Sequence, residues 1–471
     1  MLRRTAVVVF LCLSACRGGP ESVADPASVL SRTGQSTERY LDALEAARQR
    51  GVDDATKSAL RRMVSADGYV VPAREEAFLL LLETDRAALV EALTNALPRM
   101  GALEWRKRVC ELIAEHRIEE LIPALIRAWA NPVPGYSDEE TRPELLAIER
   151  LVGNDRVSDT LLATMRAANP ATQANLRARC WELMMRNGGA ARLRSLLADP
   201  AQVEGDAMLV DLARVARQLG VLPVTREEIL WARELCEPTR TAFMDEASAA
   251  LARMPAERRD SLEIRAVPLA VACARFRPEL LDASDAQMDT EIRRAIEGRR
   301  KASPDFTGYG SGFGETFYDQ REKLNWADRA GMLMAIVVLR DSELVAHLYE
   351  TADRDLEDRT TEYGGVIALD AGGKPEFLEF APRAKAGDQR YESPQALFDA
   401  LYTGLFHVHF HAQKYENEQY AGPHLGDFAF ADSTRCNGLV LTFLSPDELG
   451  VDFYRHDRMV VDLGAQRRPE G

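Results

Sequence analysis

From Arg39 to about Arg300 the apolar side chains return at helical spacing, in short runs broken by Gly, Pro, Asn and Asp. That rhythm commits the larger part of the chain to helices. Ala102, Trp105, Val109, Leu112, Ile113 and His116 share one helical stripe, and Leu121, Ile122, Leu125, Ile126 and Trp129 share the next. Pro123 falls in a first helical turn, where its missing N–H costs nothing. The unit of two helices and a turn returns near Pro143 to Ala168 and again near Thr172 to Asp199, a period of about 35 residues, and units of that length stack because one pair cannot bury its apolar face alone. His116, on the apolar stripe, is expected as a hydrogen-bonded core histidine.

The run Glu119-Glu120-Leu121-Ile122-Pro123-Ala124-Leu125-Ile126 resembles HEAT-like repeats; the alternative is an irregular all-helical domain. The helical rhythm stops near Arg299-Arg300-Lys301. Thr307-Gly308-Tyr309-Gly310-Ser311-Gly312-Phe313-Gly314 follows, with no preceding strand and no Lys-Ser/Thr ending, so it reads as a connector and not as a phosphate loop. The expected fold class is therefore multidomain. An all-α, HEAT-like helical-repeat region at 38–300 is followed by a linker and connecting helix at 301–341 and a further domain at 342–471.

At the N-terminus Met1-Leu2-Arg3-Arg4 is positive and Ala6 to Leu13 is apolar, a stretch far short of the roughly 20 residues that cross a bilayer but suited to an export signal. Leu13-Ser14-Ala15-Cys16 resembles the lipobox of bacterial lipoproteins. The resemblance implies a signal peptide at 1–16, an acylated Cys16, and a chain held at the membrane by its lipid alone in the cell envelope. Arg17 follows the cysteine instead of the retaining aspartate, which points to the outer membrane. The alternative is an ordinary secreted protein cut nearby. Residues 17–37, rich in Gly, Pro, Ser and Ala, are expected as a flexible tether.

Cys110, Cys180, Cys236, Cys273 and Cys436 remain, an odd and widely spaced set expected as small buried hydrophobes. A net charge of −15 speaks against a nucleic-acid partner, since phosphates require a basic face.

The chain has seven histidines, yet His407, His409, His411 and His424 crowd into one window. In a strand, alternate residues project to one face, so the first three imidazoles line up on one side. A metal site needs neutral imidazoles presented together at about 2 Å from the ion. Asp427 adds a carboxylate at the start of a short helix expected over Phe428 to Ser433. Two imidazoles and one carboxylate leave a coordination position open, the layout of a catalytic zinc site. The candidate base is Glu362, in Thr361-Glu362-Tyr363-Gly364-Gly365-Val366-Ile367, at the mouth of an apolar strand.

Over Ser342 to Gly464 these residues resemble the JAMM/MPN-type metalloproteases: a glutamate before a glycine-containing strand, then H-x-H, then S-x-x-D. The expected helices at Leu344 to Asp355 and Ser393 to Leu401 and the closing strands at Leu439 to Leu444 and Val451 to Arg455 follow the same order. The resemblance implies an α/β domain at 342–471, in which His409, His411 and Asp427 hold Zn²⁺ and Glu362 is the general acid/base of amide hydrolysis. Gly404-Leu405-Phe406-His407-Val408-His409 also resembles the family's histidine motif, so His407 and His409 are the metal pair in the alternate register. The chain departs from the pattern in three places: Ala412 or Phe410 stands for the usual proline, Gln413 to Gly422 reads as an insertion, and His424 replaces the serine that helps hold the oxyanion. An imidazole can also donate to an oxyanion, so His424 is a second catalytic candidate. On the enzyme reading the helical repeats present or select a protein or peptide partner; the other reading is a noncatalytic lipoprotein scaffold with a degenerate JAMM-like domain.

Overall fold

The computed structural model describes residues 23–131, 141–302, 316–385, 387 and 391–470. The lipobox with Cys16 and the glycine-rich run at 307–314 lie outside the described residues. The chain divides into two units, Met1–Asn187 and Gly188–Gly471. Among the described residues no helix is long and apolar enough to cross a membrane.

The elements of the first unit's described part are all helices, from Pro26–Leu30 to Ala174–Arg186. Helix starts follow from side-chain caps: Asp53 accepts from Thr56 N at 2.8 Å and Asp85 from Ala88 N at 3.0 Å. The stripe of Trp105, Val109, Leu112 and Ile113 is buried, as is the next one at Leu121, Leu125, Ile126 and Trp129. Beneath them Glu144 is fully buried between the guanidinium groups of Arg106 and Arg142. Two sequence expectations fail here. His116 is exposed, because the helix Leu103–Glu115 ends one residue before it and leaves it as the C-cap. Part of the expected tether is folded: Asp25 caps a helix at Pro26–Leu30, and Leu30 is fully buried.

The second unit joins the later helices to a six-stranded mixed sheet. Its strands are β1 (Gly364–Leu369), β2 (Pro375–Glu379), β3 (Phe406–His411), β4 (Gly438–Ser445), β5 (Glu448–Arg455) and β6 (Met459–Arg467), in the spatial order β2-β1-β3-β4-β5-β6. Among these six strands only the β3–β4 pair is parallel. A parallel neighbour needs a crossover, and the helix Leu425–Thr434 supplies it. That helix covers one face of the sheet, where Phe428 and Ala431 pack with Val440, Tyr454 and Val460. On the other face the helix Trp326–Val338 sits so close that a Cβ on Gly331 would meet the Phe453 ring at 2.9 Å. Phe406 meets the same ring edge-on at 6.3 Å.

The helical stretch expected as a single array to Arg300 is thus shared between the units. The reason is a set of polar contacts far apart in sequence. Arg265 Nη1 donates to Asn437 Oδ1 at 2.8 Å, Trp231 Nε1 donates to the Tyr402 carbonyl at 2.8 Å, and Arg455 Nε pairs with the buried Asp328 at 3.0 Å. The first two tie helices before residue 300 to the segments that lead into β3 and β4, and the third ties the helix Trp326–Val338 to β5. Among the described residues Cys110, Cys180, Cys273 and Cys436 are free and buried, and Cys236 is half-buried.

Candidate metal centre

Strand alternation places His407, His409 and His411 on the face that the crossover helix covers, and all three are buried. The rings follow one another along β3, with centroids 5.6 Å apart from His407 to His409 and 5.2 Å from His409 to His411. Across β4, Val440 pairs with His409, and Tyr454 on β5 meets the His409 ring edge-on at 6.0 Å. That tyrosine needs a glycine beneath it: a Cβ on Gly438 would lie 2.2 Å from its ring.

Asp427 comes to this face from the first turn of the crossover helix, which begins at Leu425, three residues earlier than the sequence suggests. The helix start holds the carboxylate, since the His424 N–H donates to Asp427 Oδ2 at 2.7 Å. Oδ1 stands 3.2 Å from His409 Nε2, and Oδ2 stands 3.8 Å from His411 Nε2. One ligand atom from each of His409, His411 and Asp427 falls within 4.8 Å of the others. Donors bound tetrahedrally at 2.0–2.2 Å lie about 3.4 Å apart, so the two carboxylate distances bracket what a zinc ion requires.

Hydrogen bonding agrees with that donor set. His411 Nδ1 lies 2.8 Å from the Tyr420 carbonyl, which can only accept, so the proton sits on Nδ1 and the lone pair on Nε2 turns toward Asp427. Neither nitrogen of His409 has an aligned hydrogen bond, although the residue is buried. A buried imidazole that meets a carboxylate only in a poorly aligned contact is incompletely satisfied, and a cation between the two satisfies both.

The electrostatics centre on His409. Burial works against its protonation, but Asp427, and after it Glu362, outweigh burial and hold its pKa above the ordinary value. Burial, with the charge on His409 next, pushes His411 and His407 each down to about 3. Asp427 is held well below the carboxylate range: burial opposes this, and the His409 charge overcomes it. Burial also lowers His424.

Glu362 precedes β1 on the strand that pairs with β3. Gly364 pairs with His409, and the Phe410 N–H donates to the Tyr363 carbonyl at 3.3 Å, so pairing runs on toward Glu362. Two residues before Gly364, its side chain falls on the histidine face. It is 6 % exposed, and Gln413 Nε2 donates to its Oε1 at 3.4 Å.

The alternate register is not the one brought together. His407 lies outside the group formed by His409, His411 and Asp427, against Phe430 at 4.6 Å and Tyr391 at 6.3 Å. His424 stacks on His411 with centroids 4.5 Å apart, at the N-terminus of the crossover helix. Sequence reasoning missed Gln413, Asn417 and the carbonyl of Tyr420, all in the stretch read as an insertion. No spacing rule marks them, because they act through single hydrogen bonds from irregular backbone. No family model, no curated protein and no solved structure matches the chain.

Proposed function

We propose that the second unit of this chain is a zinc-dependent amide hydrolase of the JAMM/MPN type. The observation that carries the reading is the meeting of buried His409 and His411 with the half-buried Asp427, with Glu362 on the same face of the sheet. His409, His411 and Asp427 would hold Zn²⁺, which would supply Lewis acidity toward an amide carbonyl and water. Glu362 takes a proton at its carboxylate and passes it to the leaving amine. The Tyr420 carbonyl fixes the tautomer of His411, and the His424 amide fixes the carboxylate of Asp427. The crossover helix and Tyr454 exclude water from the inner side of the site. His424, stacked beside His411, is the proposed donor to the developing oxyanion, a role its ring N–H can serve.

The reading extends to the rest of the chain. The helical region, as HEAT-like repeats, presents or selects a protein or peptide partner, and a lipid on Cys16 holds the protein at the membrane in the cell envelope. The test is cleavage of a mixed peptide library by the zinc-loaded protein, with Glu362→Gln alongside. Cleavage that disappears in Glu362→Gln while zinc stays bound supports the mechanism. Equal cleavage in both removes Glu362 from it.

A further inference from the structure

We propose that Gln413 and Asn417 are positioning residues that hold Glu362 beside the metal ligands, an inference that rests on the zinc-hydrolase reading. Both lie between β3 and the crossover helix. Asn417 is fully buried, and its backbone N–H donates to the Phe443 carbonyl of β4 at 2.7 Å, which fastens it to the sheet. Its side-chain Nδ2 has two hydrogens and meets two acceptors, the His411 carbonyl at 3.0 Å and Gln413 Oε1 at 2.7 Å.

These contacts fix both amide orientations in turn. A backbone carbonyl can only accept, so Asn417 must present its nitrogen to His411. The same nitrogen then meets Gln413, which must present its oxygen. Gln413 is left with its Nε2 toward Glu362 Oε1, at 3.4 Å. The arrangement leaves Asn417 Oδ1 buried with no hydrogen-bond partner, a cost that a loop serving only to join two elements has no reason to carry. One end of the relay is therefore the main chain of a candidate metal ligand, and the other is the candidate base. Gln413 turns Oε1 toward itself and so sets the direction of Oε2. The relay fixes the base relative to His411, and a displacement of the order of 1 Å at such a group is costly for catalysis.

The test needs no substrate. In the whole protein carrying ¹⁵N only at glutamine side-chain amides, the Gln413 resonance is identified by its loss in Gln413→Met. Glu362→Ala and Asn417→Asp are then each expected to shift that resonance by more than its linewidth. The aspartate keeps the size of Asn417 but cannot donate. Tyr415→Phe, which alters the same loop without touching the relay, is expected to leave the resonance in place. Zinc content is read on the same samples. Zinc bound by the wild type, with a Gln413 resonance indifferent to Glu362→Ala, overturns the positioning role alone. A wild type that takes up no zinc overturns the hydrolase reading and this role with it.

Discussion

Asp427, half-buried, and His409, buried, face each other at 3.2 Å across the gap between the crossover helix and β3, with no aligned hydrogen bond between them. A carboxylate and an imidazole so placed are either a strained ion pair or two ligands of one cation. Thermal unfolding with added Zn²⁺ separates these. A ligand at 100 times its dissociation constant stabilises the native state by about 2.7 kcal/mol. The wild type is expected to gain on that scale, and His409→Ala, His411→Ala and Asp427→Ala to gain nothing.

His407 decides the register. Its two ring nitrogens are buried without hydrogen-bond partners, and each such group costs about 1–3 kcal/mol. His407→Leu is expected to keep zinc binding and to unfold at the same or a higher denaturant concentration than the wild type. Loss of zinc in His407→Leu with retention in His411→Leu makes the first two histidines the metal pair.

Gly438 carries a packing prediction. A methyl group there would fall 2.2 Å from the Tyr454 ring, which would have to leave its place against His409 and Phe428. Gly438→Ala is expected to destabilise the protein by about 1–3 kcal/mol and to weaken zinc binding as well. Chemical denaturation and zinc titration of the same variant check the two effects together.

The histidine face was legible because its signal is local: H-x-H-x-H on a strand requires only that alternate side chains share a side, and Asp427 stands next to a helix start. The division of the chain was not legible. The contacts that join Arg265 to Asn437 and Trp231 to Tyr402 link residues 172 and 171 positions apart, and no periodicity carries such information. His116 fits the apolar stripe by spacing, but the helix stops at Glu115 and turns it to solvent. β2 and β6, which form the two edges of the sheet, were also not foreseen; β2 is short and half-buried, without the alternation of a covered strand.

Asp328 gives the pH dependence. It is fully buried, with Arg265 Nη2 at 2.9 Å and Arg455 Nε at 3.0 Å. Burial opposes its ionisation, but Arg265 and then Arg455 overcome this and hold its pKa below the ordinary value. A depressed folded-state pKa stabilises the native state fully above the unfolded value of about 3.9, and that stabilisation is lost as pH falls through the folded value. Asp328→Asn is expected to cost about 3–5 kcal/mol at neutral pH, because two buried guanidinium groups lose the carboxylate they share. The gap between wild type and variant should narrow as pH falls below about 4. Urea denaturation across that range measures it; a gap independent of pH contradicts the assignment.

The most direct test of the account is the zinc content of the purified protein by elemental analysis, with Asp427→Ala and Glu362→Gln beside the wild type. Three ligands and one open position require about one zinc per chain in the wild type and in Glu362→Gln, and almost none in Asp427→Ala. A wild type that holds no zinc after exposure to it, or an Asp427→Ala variant that holds as much, contradicts the metal centre.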